Sequence, residues 1–243
     1  MNPKLGHTRG VIQRNYALIT PEGQVPSVLP GWTDCTPVVL ISAALGARLS
    51  QYLVMLDAKG AGNGATGKDE WFFYVVAGKA KINSIALAEG GFAFLPPQSK
   101  FDIRGAAPET KLLVFKKTYE PLPGRKAPAF FSGHEKEIPD TPFLGDKDAR
   151  LKTLIPDSAL ADMAVNIFTF EPGATLPCVE THVMEHGILF LAGHGVYRLG
   201  ADWHPVMVGD AIWIAPYCPQ WFIAGGPQPA RYIYYKNVNR EPA

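Results

Sequence analysis

The sequence predicts an all-β fold made of two tandem barrels. Its apolar runs are short, rich in β-branched and aromatic residues, and bounded by Gly, Pro or Asp, which is typical of strands in a sandwich or barrel. Long amphipathic helical patterns are absent, and 24 glycines and 22 prolines indicate many turns. The same patterns occur twice along the 243 residues.

The predicted strands follow one another in two groups. The first group comprises residues 38–41, 52–56, 71–76, 92–95 and 112–115, and the second comprises residues 165–168, 188–191, 212–214 and 232–235. Within the groups, residues 73–78 (FYVVAG) resemble residues 188–193 (ILFLAG) at an offset of 115, and residues 88–97 resemble residues 207–216 at an offset of 119. Two copies at such a period predict two domains of the same fold.

The domain boundaries follow from this repeat. We predict an N-terminal domain over residues 1–120 and a C-terminal domain over residues 149–243. The segment between them, to about residue 148, is rich in proline and charge and is predicted to be a linker.

Composition restricts the partners and the compartment. A net charge of +1 gives no basic surface for nucleic acid or an anionic membrane, and no apolar run reaches the ~18 residues of a spanning helix. The N-terminal residues are polar and lack a signal segment, and three cysteines at long spacings give no disulfide framework. We therefore expect a cytoplasmic protein with a small-molecule ligand, no nucleic-acid partner and no membrane contact.

The candidate chemistry lies in the second copy, where residues 180–187 read ETHVMEHG. On a strand, Glu180 and His182 face the same side, whereas His186 shares a metal ion with them only if the chain bends back. His182, Glu185 and His186 also match the H-x-x-E-H signature of a zinc-binding helix, although the β-branched flanks oppose a helix. A third interpretation is that these are hydrogen-bonded polar residues of a barrel core, which is costly in apolar surroundings.

Glycines at fixed distances extend the pattern to Gly173, Glu180, His182, His186 and Gly193. This resembles the first motif of the cupin superfamily, G-x(5)-H-x-H-x(3,4)-E-x(6)-G, with the ligand types permuted. Residues 209–210 (GD) and 215–220 (APYCPQ) resemble the second cupin motif, with Gln220 where that motif has a His. The resemblance implies two cupin barrels, each a double-stranded β-helix or jelly roll.

The permuted set of ligands resembles the (S)-ureidoglycine aminohydrolases, a family of two-cupin manganese enzymes of allantoin and purine degradation. The resemblance covers nearly the whole chain and includes residues 15–23 (NYALITPEG), 179–187, 193–197 (GHGVY) and 232–240 (YIYYKNVNR). It implies that Glu180, His182, His186 and Gln220 hold the metal. It also implies that substrate contacts Tyr197, Tyr232 and Lys236.

The residue types agree with that implied activity. Two imidazoles, a carboxylate and an amide favour Mn²⁺, Fe²⁺ or Zn²⁺ over Cu⁺, and the hard oxygens favour Mn²⁺. The expected reaction replaces the α-amino group of (S)-ureidoglycine by hydroxyl. The proton acceptor in catalysis is Glu180, Tyr197 or Lys236, and the sequence does not decide between them.

Two other functions share the fold: an Fe²⁺-dependent cupin oxygenase, and a cupin that binds a small acid without turnover. The first copy has Phe101 in the place of Gln220 and no His before Glu70, so we expect it to be metal-free. Exposed sheet edges lead us to expect a homo-oligomer.

Overall fold

Strands make up most of the computed structural model, which describes residues 8–240. Single turns of 3₁₀ helix occur at Pro21–Gly23, Ala43–Leu45 and Glu135–Glu137. Within the described residues, no helix has the length and apolar character needed to cross a membrane. The all-β prediction is confirmed.

Twenty strands are present in chain order. Those of the first half are β1 (Val11–Ile12), β2 (Tyr16–Ile19), β3 (Trp32–Ile41), β4 (Leu49–Ala65), β5 (Asp69–Ala77), β6 (Lys79–Ile82), β7 (Ile85–Ala88), β8 (Gly91–Leu95), β9 (Lys100–Gly105) and β10 (Thr110–Thr118). Those of the second half are β11 (Phe131–His134), β12 (Thr141–Phe143), β13 (Asp146–Thr153), β14 (Met163–Phe170), β15 (His186–Ala192), β16 (His194–Leu199), β17 (Asp202–Met207), β18 (Ala211–Ile214), β19 (Gln220–Gly225) and β20 (Ala230–Asn237).

The strands form three antiparallel sheets. The first repeat forms a nine-stranded sheet in the order β11-β8-β5-β10-β4-β9-β6-β7, with β3 paired to β4. The second repeat forms an eight-stranded sheet, β1-β2-β18-β15-β20-β14-β13-β12, and a three-stranded sheet, β17-β16-β19. Side chains of the latter two sheets meet in one apolar core, which gives the second repeat its barrel-like shape.

Residues of the central strands alternate between two cores. In β20, Tyr232 and Tyr234 point into the core of the second repeat, whereas Ile233 and Tyr235 point into a core shared by both repeats. In β5, Phe72 packs in the shared core, whereas Trp71 and Phe73 pack in the core of the first repeat. Because both faces of these strands are covered, their sequences are continuous apolar runs rather than alternating ones.

Strand pairing crosses the predicted domain boundaries at both ends. Strands β1 and β2 lie in the predicted N-terminal domain, yet β2 pairs with β18 of the second repeat. The predicted linker contains β11, which pairs with β8 of the first repeat, and β12, which pairs with β13. Sequence-distant strands complete each sheet, and the local pattern contains no trace of such pairing. The boundaries at 120 and 149 therefore do not coincide with the edges of the sheets.

The two repeats approach most closely beside a predicted metal ligand. A Cβ atom on Gly187 would lie 2.6 Å from Oε1 of Gln51 and 2.7 Å from a methyl carbon of Leu49, so only glycine fits between them. The amide of Gln51 donates to the backbone oxygen of Ile188 at 3.0 Å. The strand that begins with His186 is thus held against the first repeat.

Candidate metal centre

A cavity of about 220 Å³ lies inside the second repeat, and all seven residues predicted from the sequence border it. Strands β15, β16, β19 and β20 contribute five of them, and the segment before β15 contributes the other two. The complete lining is Phe143, Leu151, Phe168, Glu180, His182, Met184, His186, Ile188, Tyr197, Gln220, Tyr232, Tyr234 and Lys236.

The segment before β15 is irregular, neither a strand nor the helix of a zinc-binding H-x-x-E-H motif. Glu180 forms an isolated bridge with Gln220, in which the backbone N–H of each donates to the other's carbonyl at 2.8 and 2.9 Å. The chain then bends back, and the backbone oxygen of His182 accepts from the N–H of Tyr217 at 2.7 Å. This bend is the condition under which His182 and His186 can reach one point.

The two imidazoles converge through their Nε2 atoms, which are 3.2 Å apart. Nδ1 of His182 lies 3.1 Å from the backbone oxygen of Met184, and Nδ1 of His186 lies 3.2 Å from that of Tyr235. A carbonyl accepts but cannot donate, so each Nδ1 carries the proton and each Nε2 carries a lone pair.

Burial keeps both rings neutral. It lowers the pKa of His182 below its ordinary value and lowers that of His186 to about 3, with the neighbouring His182 adding to the latter effect. Two lone pairs that face each other repel unless a cation lies between them. Two nitrogens bound at about 2.1 Å to one ion would themselves be about 3.0–3.4 Å apart, so the pair fits a metal ion.

Gln220 is the third group at this point. Its Nε2 lies 3.2 Å from Nε2 of His182, and its Oε1 accepts a hydrogen bond of 2.8 Å from the hydroxyl of Tyr197. A half-turn of the amide exchanges its oxygen and nitrogen, and Tyr197 can accept as well as donate. Gln220 can therefore present its oxygen to a cation while Tyr197 keeps a partner.

Glu180 borders the cavity but does not join the imidazole pair. Between residues 8 and 240, no three His, Cys, Asp or Glu side chains converge closely enough to share an ion. Burial raises the pKa of Glu180, and the positive charge of Lys236 opposes that rise. The structure thus brings the four predicted ligands to one cavity, with His182, His186 and Gln220 in mutual contact and the Glu180 carboxylate apart from them.

Lys236 lies opposite His186 on the neighbouring strand. The first repeat has the same arrangement, with Lys116 opposite Trp71. There, Nζ of Lys116 is 3.1 Å from a carboxylate oxygen of Asp69 and 5.3 Å from the centre of the Trp71 ring.

At an offset of 115, the counterparts of Asp69 and Trp71 are Met184 and His186. Lys236 has therefore lost the carboxylate that its counterpart pairs with. In the described range, it forms no ion pair.

Some residues of the site were missed by sequence reasoning. Tyr234 alternates with Tyr232 and Lys236, so the period of two along β20 places it on the same face and was the available signal. Phe143 comes from the predicted linker, for which no such signal exists. Glu185, beside the ligands in sequence, instead faces the first repeat, where it accepts from the N–H of Arg48 at 3.1 Å and from Nε1 of Trp213 at 3.2 Å.

In the first repeat, aromatic rings fill the corresponding space. Phe101 pairs with Gly64 as Gln220 pairs with Glu180. The Phe101 ring lies 5.0 Å from the Trp71 ring and 6.4 Å from that of Trp32, measured between centroids. A Cβ atom on Gly64 would lie 2.8 Å from the Phe101 ring.

Comparison with known proteins gives consistent matches. The family model described as Cupin domain matches residues 166–235. The chain is 35% identical over 243 residues to (S)-ureidoglycine aminohydrolase of Arabidopsis thaliana, with 98% of this chain and 80% of that protein covered. It is 36% identical over 235 residues to (S)-ureidoglycine aminohydrolase of Escherichia coli K12, with 93% and 90% covered. The crystal structure of protein Ylba from E. coli superposes with a TM-score of 0.87 at 33% identity, covering 100% of this chain and 99% of that one.

Proposed function

The chain belongs to the (S)-ureidoglycine aminohydrolase family of cupin proteins, and we propose on that basis that it hydrolyses (S)-ureidoglycine with a divalent metal ion in the cavity of the second repeat. Water supplies the hydroxyl group that replaces the α-amino group. The products are (S)-ureidoglycolate and ammonia.

The imidazole pair is the observation that carries the proposal. Two neutral rings with their lone pairs 3.2 Å apart, in a cavity that also exposes an amide and a carboxylate, are a cation site. His182, His186 and Gln220 would hold the ion, with Glu180 as fourth ligand. No cysteine borders the cavity, so the donors are nitrogen and oxygen only, which supports Mn²⁺ over softer ions. The ion supplies Lewis acidity and a binding position for substrate.

The remaining polar side chains bind and orient the substrate. The unpaired ammonium of Lys236 is the group for the substrate carboxylate, and Tyr232 lies in the wall between Phe190 and Tyr197. Tyr197 donates to Gln220, and burial raises its pKa, so its hydroxyl acts as a hydrogen-bond donor rather than as a base. Proton transfer is therefore left to Glu180 and Lys236.

The direct test is anaerobic release of ammonia from freshly prepared ureidoglycine by the purified, manganese-loaded protein. We expect one ureidoglycolate per ammonia and no release from protein treated with a chelator. Oxygen consumption during turnover would support a cupin oxygenase instead. Binding of ureidoglycine without release of ammonia would support a binding protein and contradict the proposal.

We also propose that the chain forms a homo-oligomer. Support comes from apolar side chains that are exposed on β16 and β17, namely Val196, Trp203 and Met207. Light scattering of the purified protein tests it, and the mass of a single chain at micromolar concentration would contradict it.

A further inference from the structure

Tyr234 is a third tyrosine in the cavity wall, and nothing above gives it a role. Its side chain is buried, and its ring packs between two neighbours. The Tyr234 ring is stacked on Phe168 at 5.5 Å, and it meets the ring of His186 edge-on at 5.4 Å, both measured between centroids. The side chain therefore has one fixed orientation beside the imidazole pair.

The hydroxyl of Tyr234 has one hydrogen-bond partner, Asn166. Asn166 lies opposite Tyr234 on β14, is buried, and donates from Nδ2 to the hydroxyl oxygen at 3.1 Å. This bond uses the oxygen of Tyr234 as acceptor and leaves its proton to be donated. Among residues 8–240, no side-chain or backbone oxygen accepts that proton.

A buried donor without an acceptor is costly, and in a binding site it marks the place of a ligand acceptor. We infer that the Tyr234 hydroxyl donates a hydrogen bond to the ureido carbonyl oxygen of the substrate, and that Asn166 is the positioning residue that directs this proton into the cavity. The inference rests on the proposed function and deepens it.

The spacing along β20 supports the ureido group as the acceptor. Tyr234 and Lys236 are two residues apart on one face, about 6.7 Å along the strand. Lys236 carries the only charge on this face of β20, so it takes the carboxylate, the charged end of the substrate. The ureido carbonyl is the neutral acceptor at the other end, and a neutral phenol suits it.

The test compares two ligands that differ in the ureido group alone. Ureidoglycolate and glycolate share a hydroxyl and a carboxylate, and only the former has the ureido group. We would measure the affinity of each for the manganese-loaded protein by calorimetry, in wild type and in Tyr234→Phe. We expect ureidoglycolate to bind about 5- to 150-fold more weakly to Tyr234→Phe, and glycolate to bind within twofold of wild type.

Two further variants make the comparison specific. Tyr119 is also a buried tyrosine, and its hydroxyl donates to the backbone oxygen of Leu160, away from the cavity. Tyr119→Phe should leave both affinities unchanged. Asn166→Ala should weaken ureidoglycolate by a smaller factor than Tyr234→Phe does and leave glycolate alone, whereas a purely structural role would affect both ligands together.

The possible failures are distinguishable. If wild type releases ammonia from ureidoglycine but Tyr234→Phe weakens both ligands equally, or neither, then Tyr234 does not read the ureido group and the proposed function stands. If wild type releases no ammonia, the proposed function fails before any variant is made, and this inference fails with it.

Discussion

At the scale of single residues, two backbone carbonyls prepare the cation site. The oxygens of Met184 and Tyr235 take up the Nδ1 protons of His182 and His186, which turns both Nε2 lone pairs toward the same point. Such bonds fix the tautomer and orientation of metal-binding histidines. The arrangement exists without the metal, so little reorganisation is needed when an ion binds.

The first prediction concerns metal content. We expect one divalent ion per chain, and we expect less than a tenth of it to remain in the double variant His182→Ala, His186→Ala, because both nitrogen donors are then lost. Elemental analysis of the purified protein measures this. His194→Ala, which removes an exposed histidine outside the cavity, is the matched control. Two ions per chain, or an unchanged content in the double variant, would contradict the prediction.

The second prediction concerns Lys236. A hydrogen bond to a charged group contributes about 1.5–3 kcal/mol. Lys236→Met should therefore lower kcat/KM for ureidoglycine about 10- to 150-fold. Lys236→Arg should restore only part of it, since a planar guanidinium does not occupy the place of a point charge. Lys116→Met removes the counterpart in the first repeat and should leave kcat/KM unchanged. Full activity of Lys236→Met would sink the assignment.

Residue identities in the site could be predicted, but their geometry could not. The motif spacing singled out Glu180, His182 and His186, and the resemblance added Gln220; all four border one cavity. The sequence does not show which lone pairs meet, since this depends on backbone carbonyls that carry no sequence signature. The separation of the Glu180 carboxylate from the imidazole pair follows from the path of an irregular segment for the same reason.

At the scale of strands, alternation along β10 and β5 creates a buried ionic group in the shared core. Glu70 and Lys117 lie opposite each other, and Lys117 also contacts Asp162 of the second repeat. The carboxylates of Glu70 and Asp162 both retain oxygens without a donor. Two carboxylates can bond only if one is protonated, and burial followed by the neighbouring Asp162 raises the pKa of Glu70 to about 10.

The third prediction is the pH dependence that Glu70 creates. Between about pH 5 and pH 9, the folded protein retains a proton on Glu70 that the unfolded chain has released. The free energy of unfolding therefore falls as the pH rises across this range. Glu70→Gln keeps the shape and removes the titration, so the melting temperature should depend less on pH. Denaturation scans at several pH values measure it, with Glu89→Gln, an exposed glutamate, as the control. Parallel curves for wild type and Glu70→Gln would show that Glu70 is ionised.

Strands were more predictable than the connections between them. Residues 71–76 and 232–235 were recognised as strands because both faces are apolar, and each lies within a central strand, β5 or β20. The predicted linker contains strands that the sequence did not reveal, since β11 (Phe131–His134) includes a glycine and polar residues and is paired at the edge of a sheet. Edge strands need only one buried face, so their local pattern is weak.

At the scale of the whole molecule, the first described strands belong to the second repeat. Strand β2 extends its sheet beside β18, and Arg9 clamps the same region through a two-pronged contact with Asp210, with both N–O distances 2.8 Å. Asp210 is fully buried and also accepts from the N–H of Met207. The two repeats are thus joined by exchanged strands as well as by their shared core.

The fourth prediction tests this clamp. Arg9→Gln leaves the buried Asp210 without its cation and should lower the free energy of unfolding by about 1.5–3 kcal/mol. Urea denaturation measures the change. Arg14→Gln, which replaces an exposed arginine five residues away, should alter stability by less than about 0.5 kcal/mol. Equal effects of the two substitutions would show that the Arg9 contact contributes nothing of its own.

The pairing of β2 with β18 also has a consequence for synthesis on the ribosome. Leu18 pairs with Ile212, so roughly 190 residues are translated after β2 before its partner strand exists. At about 5–20 residues per second, this corresponds to a delay of about 10–40 s. The apolar strand Tyr16–Ile19 is then an unpaired template that a neighbouring nascent chain can occupy. Copies made on one polysome can therefore exchange this strand, and a chaperone that covers the emerging N-terminus would favour pairing within the chain.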